Sequence, residues 1–174
     1  MNFTLSVPNA PSLRSEVVWR GLISAIRVKG VIAICLVSTF VYIHFESTAP
    51  LFFGKIGQTT FLSLMFVINA TTVVATQFIA TQLIERLSTR LGLIVGFAFY
   101  GAGFICFSLP ADVIAFWVLG VALFSFGEVI VSLLIDYEIA IAVPERSANV
   151  FGISNLANAL GGLAGGWAGA IILG

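Results

Sequence analysis

The sequence predicts an all-α protein that crosses a membrane as a polytopic bundle of five helices. Three observations predict it. Hydrophobic residues fill 59% of the 174 positions and charged residues only 9%, and the mean hydropathy is +1.09, far from the composition of a soluble surface. Apolar stretches long enough for a hydrocarbon core, about 20 residues each, recur five times. Short polar connections separate them. The same composition excludes a water-soluble enzyme, a disordered tail and a basic nucleic-acid binder, since 8 basic residues balance 8 acidic ones and Phe alone contributes 16.

Two domains follow in order. Residues 1–29 form an N-terminal segment. Met1 to Pro11 has no basic residue and no compact apolar core before a cleavage site, so it does not read as a signal peptide. Arg14, Arg20, Arg27 and Lys29 then face only Glu16, with Val17, Val18, Trp19, Leu22, Ile23 and Ile26 interleaved. This is the pattern of an interfacial amphipathic segment. Residues 30–174 form the membrane domain, with spans at about 30–53, 59–84, 91–109, 113–139 and 150–173, each a transmembrane helix by length and hydropathy. The separators are Gly54-Lys55-Ile56-Gly57, Glu85 to Arg90, Pro110-Ala111-Asp112 and Pro144-Glu145-Arg146. Connections that short make consecutive helices antiparallel.

An alternating path puts Arg14, Arg20, Arg27, Lys29, Arg86, Arg90 and Arg146 on one side and only Lys55 on the other. That bias places the N-terminus in the cytoplasm and the C-terminus outside. Gly174 follows Ile172 and Leu173 with no polar tail, as in a chain cut short. Cys35 and Cys106 both fall in apolar stretches, where packing is the expected role.

Polar residues at membrane depth are candidate sites, because an ionisable group there costs a few kcal/mol on insertion scales and normally faces protein or a water-filled cavity. On the first helix Thr39, Tyr42 and Glu46 form one stripe, and His44, Ser47 and Thr48 another. Low dielectric favours the neutral form of a carboxyl and suits it to proton exchange, so Glu46 leads here. The alternative is that Glu46 snorkels to the interface. His44 alone is better read as a structural histidine. The second helix places Asn69, Thr72 and Thr76 at i, i+3 and i+7, with Gln77 nearby, suited to cavity lining or to hydrogen bonds between helices. On the fourth helix Ser125, Glu128, Ser132 and Asp136 share one face over about 16 Å of rise. Glu128 lies deep in the span and is the first candidate for proton exchange or cation binding, whereas Asp136 and Glu138 approach the end. The fifth helix carries Asn155, Asn158, Gly162, Gly166 and Gly169 on one broad face, and Gly161 and Gly165 repeat the small-xxx-small spacing of close helix packing.

No catalytic residue, cofactor or metal set is expected: there is one His, no His-Glu-x-x-His pair, no Gly-x-Ser-x-Gly elbow and no phosphate-cradling loop.

Several segments carry a family resemblance. Thr81-Gln82-Leu83-Ile84-Glu85-Arg86-Leu87-Ser88-Thr89-Arg90 is similar to the cytoplasmic loop motif of the major facilitator superfamily: Leu83, Glu85, Arg86 and Arg90 fit, while Thr81 and Ser88 stand for glycines and Thr89 for a basic residue. Gly127-Glu128 resembles the Gly-Glu of the tenth helix in drug-efflux-like members. Pro144-Glu145-Arg146-Ser147-Ala148-Asn149-Val150-Phe151-Gly152 is similar, with contracted spacing, to the lead-in of the eleventh helix, and Glu46-Ser47-Thr48-Ala49-Pro50-Leu51 to the acid-to-proline stretch of the seventh. The chain from about Gly30 thus resembles helices seven to eleven, the C-terminal half of such a transporter. The resemblance implies half of that fold in a bacterial cytoplasmic (inner) membrane, with alternating access coupled to a proton and efflux of a small lipophilic or cationic solute. It also implies a partner, an N-terminal half or another membrane subunit. The competing expectation is a truncated or accessory membrane protein without transport of its own.

Overall fold

In a computed structural model the chain is described over residues 28–57, 59–109, 114–142 and 147–173. Most of the basic segment 1–29 lies outside the described residues, as do Pro110-Ala111-Asp112, Pro144-Glu145-Arg146 and Gly174. Five helices are long and apolar enough to cross a membrane: α1 (Val28–Lys55), α2 (Thr59–Arg86), α3 (Thr89–Phe107), α4 (Ile114–Ala142) and α5 (Ser147–Leu173). No strand occurs among the described residues.

Six of the ten helix ends overrun their apolar stretches, by two or three residues. Gly54, Lys55, Glu85 and Arg86, expected in loops, are helical, because a polar residue in the last turn reaches interfacial water without breaking the backbone ladder. Only Leu87 and Ser88 separate α2 from α3. Ser88 is extended, and its hydroxyl accepts from Leu91 N at 3.4 Å as the α3 N-cap. The α1–α2 turn passes through Gly57 at φ +73°, a left-handed backbone that favours glycine.

α1 is not uniform. His44–Thr48 is a π turn, closed by Ala49 N–H donating to His44 O, with Pro50 directly behind it. In a regular helix the Pro50 ring would press on the carbonyl of Glu46. The wider turn removes that conflict and inserts one residue into the winding.

Two buried clusters fix the ends of the bundle. At the near end, where α1 begins, Val31 and Cys35 pack with Ile139 of α4 and Val150 of α5. Toward the far end an aromatic layer joins α1, α2, α3 and α4: Phe45 stacks on Phe124 at 4.8 Å, Phe53 meets Trp117 at 4.7 Å and Phe107 meets Trp117 at 5.1 Å. Lipid is as apolar as these rings, so close packing rather than escape from water holds the helices together, and each such ring pair adds about 0.5–1.5 kcal/mol. α4 is the most enclosed helix and α2 the most exposed.

Glycines bring α3 and α4 into backbone contact. A Cβ on Gly127 would meet Gly96 O at 2.7 Å, and one on Gly103 would meet Gly120 O at 2.9 Å. On the other side of the bundle Gly161, Gly165 and Gly169 run along α1: a Cβ on Gly161 would meet Leu36 O at 2.5 Å, one on Gly165 would strike Ile43, and one on Gly169 would strike Thr48. Gly162 comes only within 3.7 Å of the Thr39 methyl, and Gly166 faces open space.

Candidate functional site

The polar face of α4 is where the helices leave room. Glu128 is the fifteenth of the 29 residues of α4, the middle of the span. Together with Ser132 and Asp136 it lines a cavity of about 160 Å³. α1 supplies Ser38, Thr39 and Tyr42 to the opposite wall, α3 supplies Tyr100 and α5 supplies Asn158. The helix period places these groups at one height range: Ser38 and Tyr42 lie one turn apart, as do Glu128 and Ser132.

Hydrogen bonds order the walls. Thr39 Oγ1 donates to Asn158 Oδ1 at 2.9 Å, joining α1 to α5, and the Ser38 and Tyr100 hydroxyls lie 3.5 Å apart. From the other side of α4, Asn69 Nδ2 donates to Ser125 Oγ at 2.8 Å and to Glu128 Oε2 at 3.3 Å. Ser125 is fully buried and donates its own proton to Val121 O at 2.7 Å, so both of its hydrogen-bonding roles are used. Glu128 therefore has one oxygen tied to α2 while its carboxyl borders the cavity. Tyr42 and Tyr100 both pack on Phe124, with ring centroids at 6.2 and 4.6 Å, which orients both phenols.

The cavity carries two carboxyls, Glu128 and Asp136, and no Lys, Arg or His. Such a lining receives a proton, a cation or hydrogen-bond donors. It does not suit an anion.

Glu46 is exposed and is not among the residues lining the cavity, but its carboxyl lies within reach of two that are, Tyr42 and Glu128. The remaining sequence candidates lie elsewhere. His44 Nδ1 pairs with Thr48 Oγ1 at 3.0 Å, and its ring meets Phe40 edge-on, a local arrangement within α1. Thr72 is half-buried, and its carbonyl accepts from Thr76 Oγ1 at 2.7 Å. Gln77 is exposed. Glu85, Arg86 and Arg90 are exposed at the near end, where Glu85 borders a separate cleft of about 700 Å³ between α2 and α4. Thr89 Oγ1 donates to Glu138 Oε1 at 2.5 Å on the same cleft, so Glu138 is tied to the α3 start rather than only solvated. Among the described residues no group of three His, Cys, Asp or Glu side chains could hold a metal ion.

Two polar cavity residues, Ser38 and Tyr100, are not among the candidates that the sequence offers, nor is the apolar Ile135. A signal for Ser38 exists: Cys35, Ser38, Tyr42 and Phe45 recur at intervals of three, four and three, one helical face. Tyr100 has one too: Gly92, Gly96, Tyr100 and Gly103 recur at intervals of four, four and three, the buried face of α3.

A family model described as Major Facilitator Superfamily matches residues 3–166. No curated protein and no solved structure matches the chain.

Proposed function

Because the chain belongs to the Major Facilitator Superfamily, a family of membrane transporters, we propose that it acts as helices seven to eleven of a drug-efflux-like secondary transporter, with Glu128 as the coupling group. The observation that carries this reading is the placement of Glu128: mid-span, anchored by Asn69, on a polar cavity shared with Tyr42, Tyr100, Asp136 and Asn158. An acid at that depth is a costly choice for a purely structural role. Bound to one proton or to one cation, it gives the helix two charge states that a conformational cycle can read.

In this reading an N-terminal half, or another membrane subunit, closes the cavity from the other side, and the two halves rock about it. Glu128 takes up a proton when open to one face and yields it at the other, exchanging it for a small lipophilic or cationic solute. Asn69 is a positioning residue: its amide donor suits a carboxyl oxygen in either protonation state. Asp136, about 12 Å along α4 from Glu128 by helical rise, lies on the path to the near end. In this reading that end, the one rich in Lys and Arg, faces the cytoplasm, and the membrane is the bacterial inner one that the family resemblance implies.

The test is reconstitution of the chain with its partner half in vesicles that report internal pH. Glu128→Gln should abolish substrate-driven proton movement while leaving membrane expression and solute binding in place. Retention of full coupling would remove Glu128 from the mechanism. Glu46→Gln in the same assay should weaken coupling less than Glu128→Gln, since Glu46 neighbours Tyr42 and Glu128 from outside the cavity lining. If the wild-type assembly moves no solute under any gradient, the accessory-protein reading replaces this one.

A further inference from the structure

We propose that the cavity on α4 seats a linear diammonium ion, one end at Glu128 and the other at Asp136. This rests on the reading of that cavity as a solute site and names the class of solute. Both acids line the cavity. They stand eight positions apart on one helical face, about 12 Å along the axis, with the Ser132 hydroxyl halfway. Asn69 occupies Glu128 Oε2 from the α2 side and leaves the other carboxyl oxygen to the cavity. Asp136 is exposed and open to a ligand.

The lining between the two acids asks for no charge. Thr39 is paired with Asn158 and Ser38 with Tyr100, so polar groups of α1, α3 and α5 at that level satisfy one another. Ile135 of α4 adds apolar surface beside them. The unspent charge of the seat therefore lies at its two ends, and a solute with a cation at each end and methylenes between follows the same order. Two carboxylates on one lining repel each other, and a cation at each end cancels that repulsion. A monoamine neutralises one carboxylate and leaves the other.

Size narrows the class. Pockets that enclose drug-sized molecules measure about 300–1,000 Å³, whereas this chain shapes a space of about 160 Å³, which takes a slender chain rather than a fused-ring cation. Bonds of about 1.5 Å at near-tetrahedral angles advance an extended chain by about 1.25 Å each, and an ammonium nitrogen sits about 3 Å from its carboxylate oxygen. Nitrogens about 6–12 Å apart therefore reach both acids, so a diamine of about five to eight carbons bridges them and one of about three carbons reaches only one. The rival occupant is a monoamine held by Glu128 alone. The diamine is favoured because Asp136 shares the lining with Glu128.

Equilibrium dialysis of straight-chain amines against the whole chain in nanodiscs of neutral phosphatidylcholine tests this, with empty nanodiscs giving the lipid background. Hexamethylenediamine should bind about tenfold or more tightly than hexylamine or trimethylenediamine, the effect of one added charge-assisted hydrogen bond. Asp136→Asn should remove that preference, so that diamine and monoamine bind alike. Ser132→Asp combined with Asp136→Asn brings the two carboxyls to about 6 Å apart along the axis and should make trimethylenediamine the best ligand. Equal binding of hexamethylenediamine and hexylamine by the wild-type chain, a preference that survives Asp136→Asn, or an optimum that ignores the moved carboxyl would each overturn the proposal. The coupling role of Glu128 is judged separately, by substrate-driven proton movement. A chain blind to amine length in which Glu128→Gln still abolishes coupling refutes the diamine alone; length-dependent binding with coupling untouched by Glu128→Gln refutes the coupling group and upholds the diamine seat.

Discussion

The α3–α4 seam and the α1–α5 seam both rest on glycines and both border the polar cavity, the first through Tyr100 and Glu128, the second through Thr39 and Asn158. Between α3 and α4 the missing side chains let backbone meet backbone, and the remaining volume is filled by rings such as Phe124 and Phe107. Between α1 and α5 the nearest obstacles to a Cβ are partly side chains, Ile43 and Thr48, and beside them Thr39 bonds Asn158 across the seam. Side chains are also the nearest obstacles at Gly92, Gly96 and Gly120, so the seams differ chiefly in what lies beside them, aromatic rings along α3–α4 and a hydrogen bond between polar side chains along α1–α5. Small residues therefore mark close approach in both places and say nothing by themselves about function.

Single substitutions can break or sharpen that contrast. The largest effect is expected for Gly127→Ala, whose added methyl would press on Gly96 O at 2.7 Å and Tyr100 N at 3.1 Å; backbone cannot step aside, so a loss of about 3 kcal/mol is expected. It would be measured in detergent as an earlier temperature at which the wholly buried Cys35 thiol becomes reactive. Gly165→Ala meets Ile43 first and Phe40 O at 2.7 Å second; that backbone contact is as close as the one at Gly127, so a comparable loss of about 3 kcal/mol is expected. A clearly smaller loss at Gly165 would show that the α1–α5 seam yields more readily. Asn69→Ala removes both donations to α4 and should cost about 1 kcal/mol in the same assay, with a disproportionate change in proton coupling if Glu128 works as proposed. The smallest effect belongs to Gly166→Ala, which fills open space and should be neutral or stabilising by up to about 1 kcal/mol through helix propensity. A marked loss there would mean that the outer face of α5 is in contact with a partner.

The five helices were legible because the bilayer leaves a chain few choices: apolar length alone locates each span. The α4 stripe was legible because one helical period relates Glu128, Ser132 and Asp136, and the packing of α5 because Gly161, Gly165 and Gly169 repeat every fourth residue. The partners were not. Asn69 and Glu128 are 59 positions apart, and their meeting depends on the rotation of two helices, which no local pattern encodes. The α3–α4 glycines were overlooked although Gly92 and Gly96 carry the same four-residue spacing as α5. Of the stripe Thr39, Tyr42 and Glu46, the first two line the cavity and Glu46 stays beside Tyr42 just outside the lining, where the π turn interrupts the regular winding.

That broken winding has a consequence for engineering. An extra residue in one turn advances the angular phase of everything after it by about 100°. The inner half of α1 turns Ser38 and Tyr42 to the cavity while the outer half, out of step with it, turns Phe53 into the ring layer against Trp117. Deleting Ser47 would let α1 wind regularly with Phe53 still against Trp117, whereas winding the intact sequence without the wide turn would swing Phe53 away, so the indexing of this helix is set by a single surplus position rather than by the side chains that occupy its two faces.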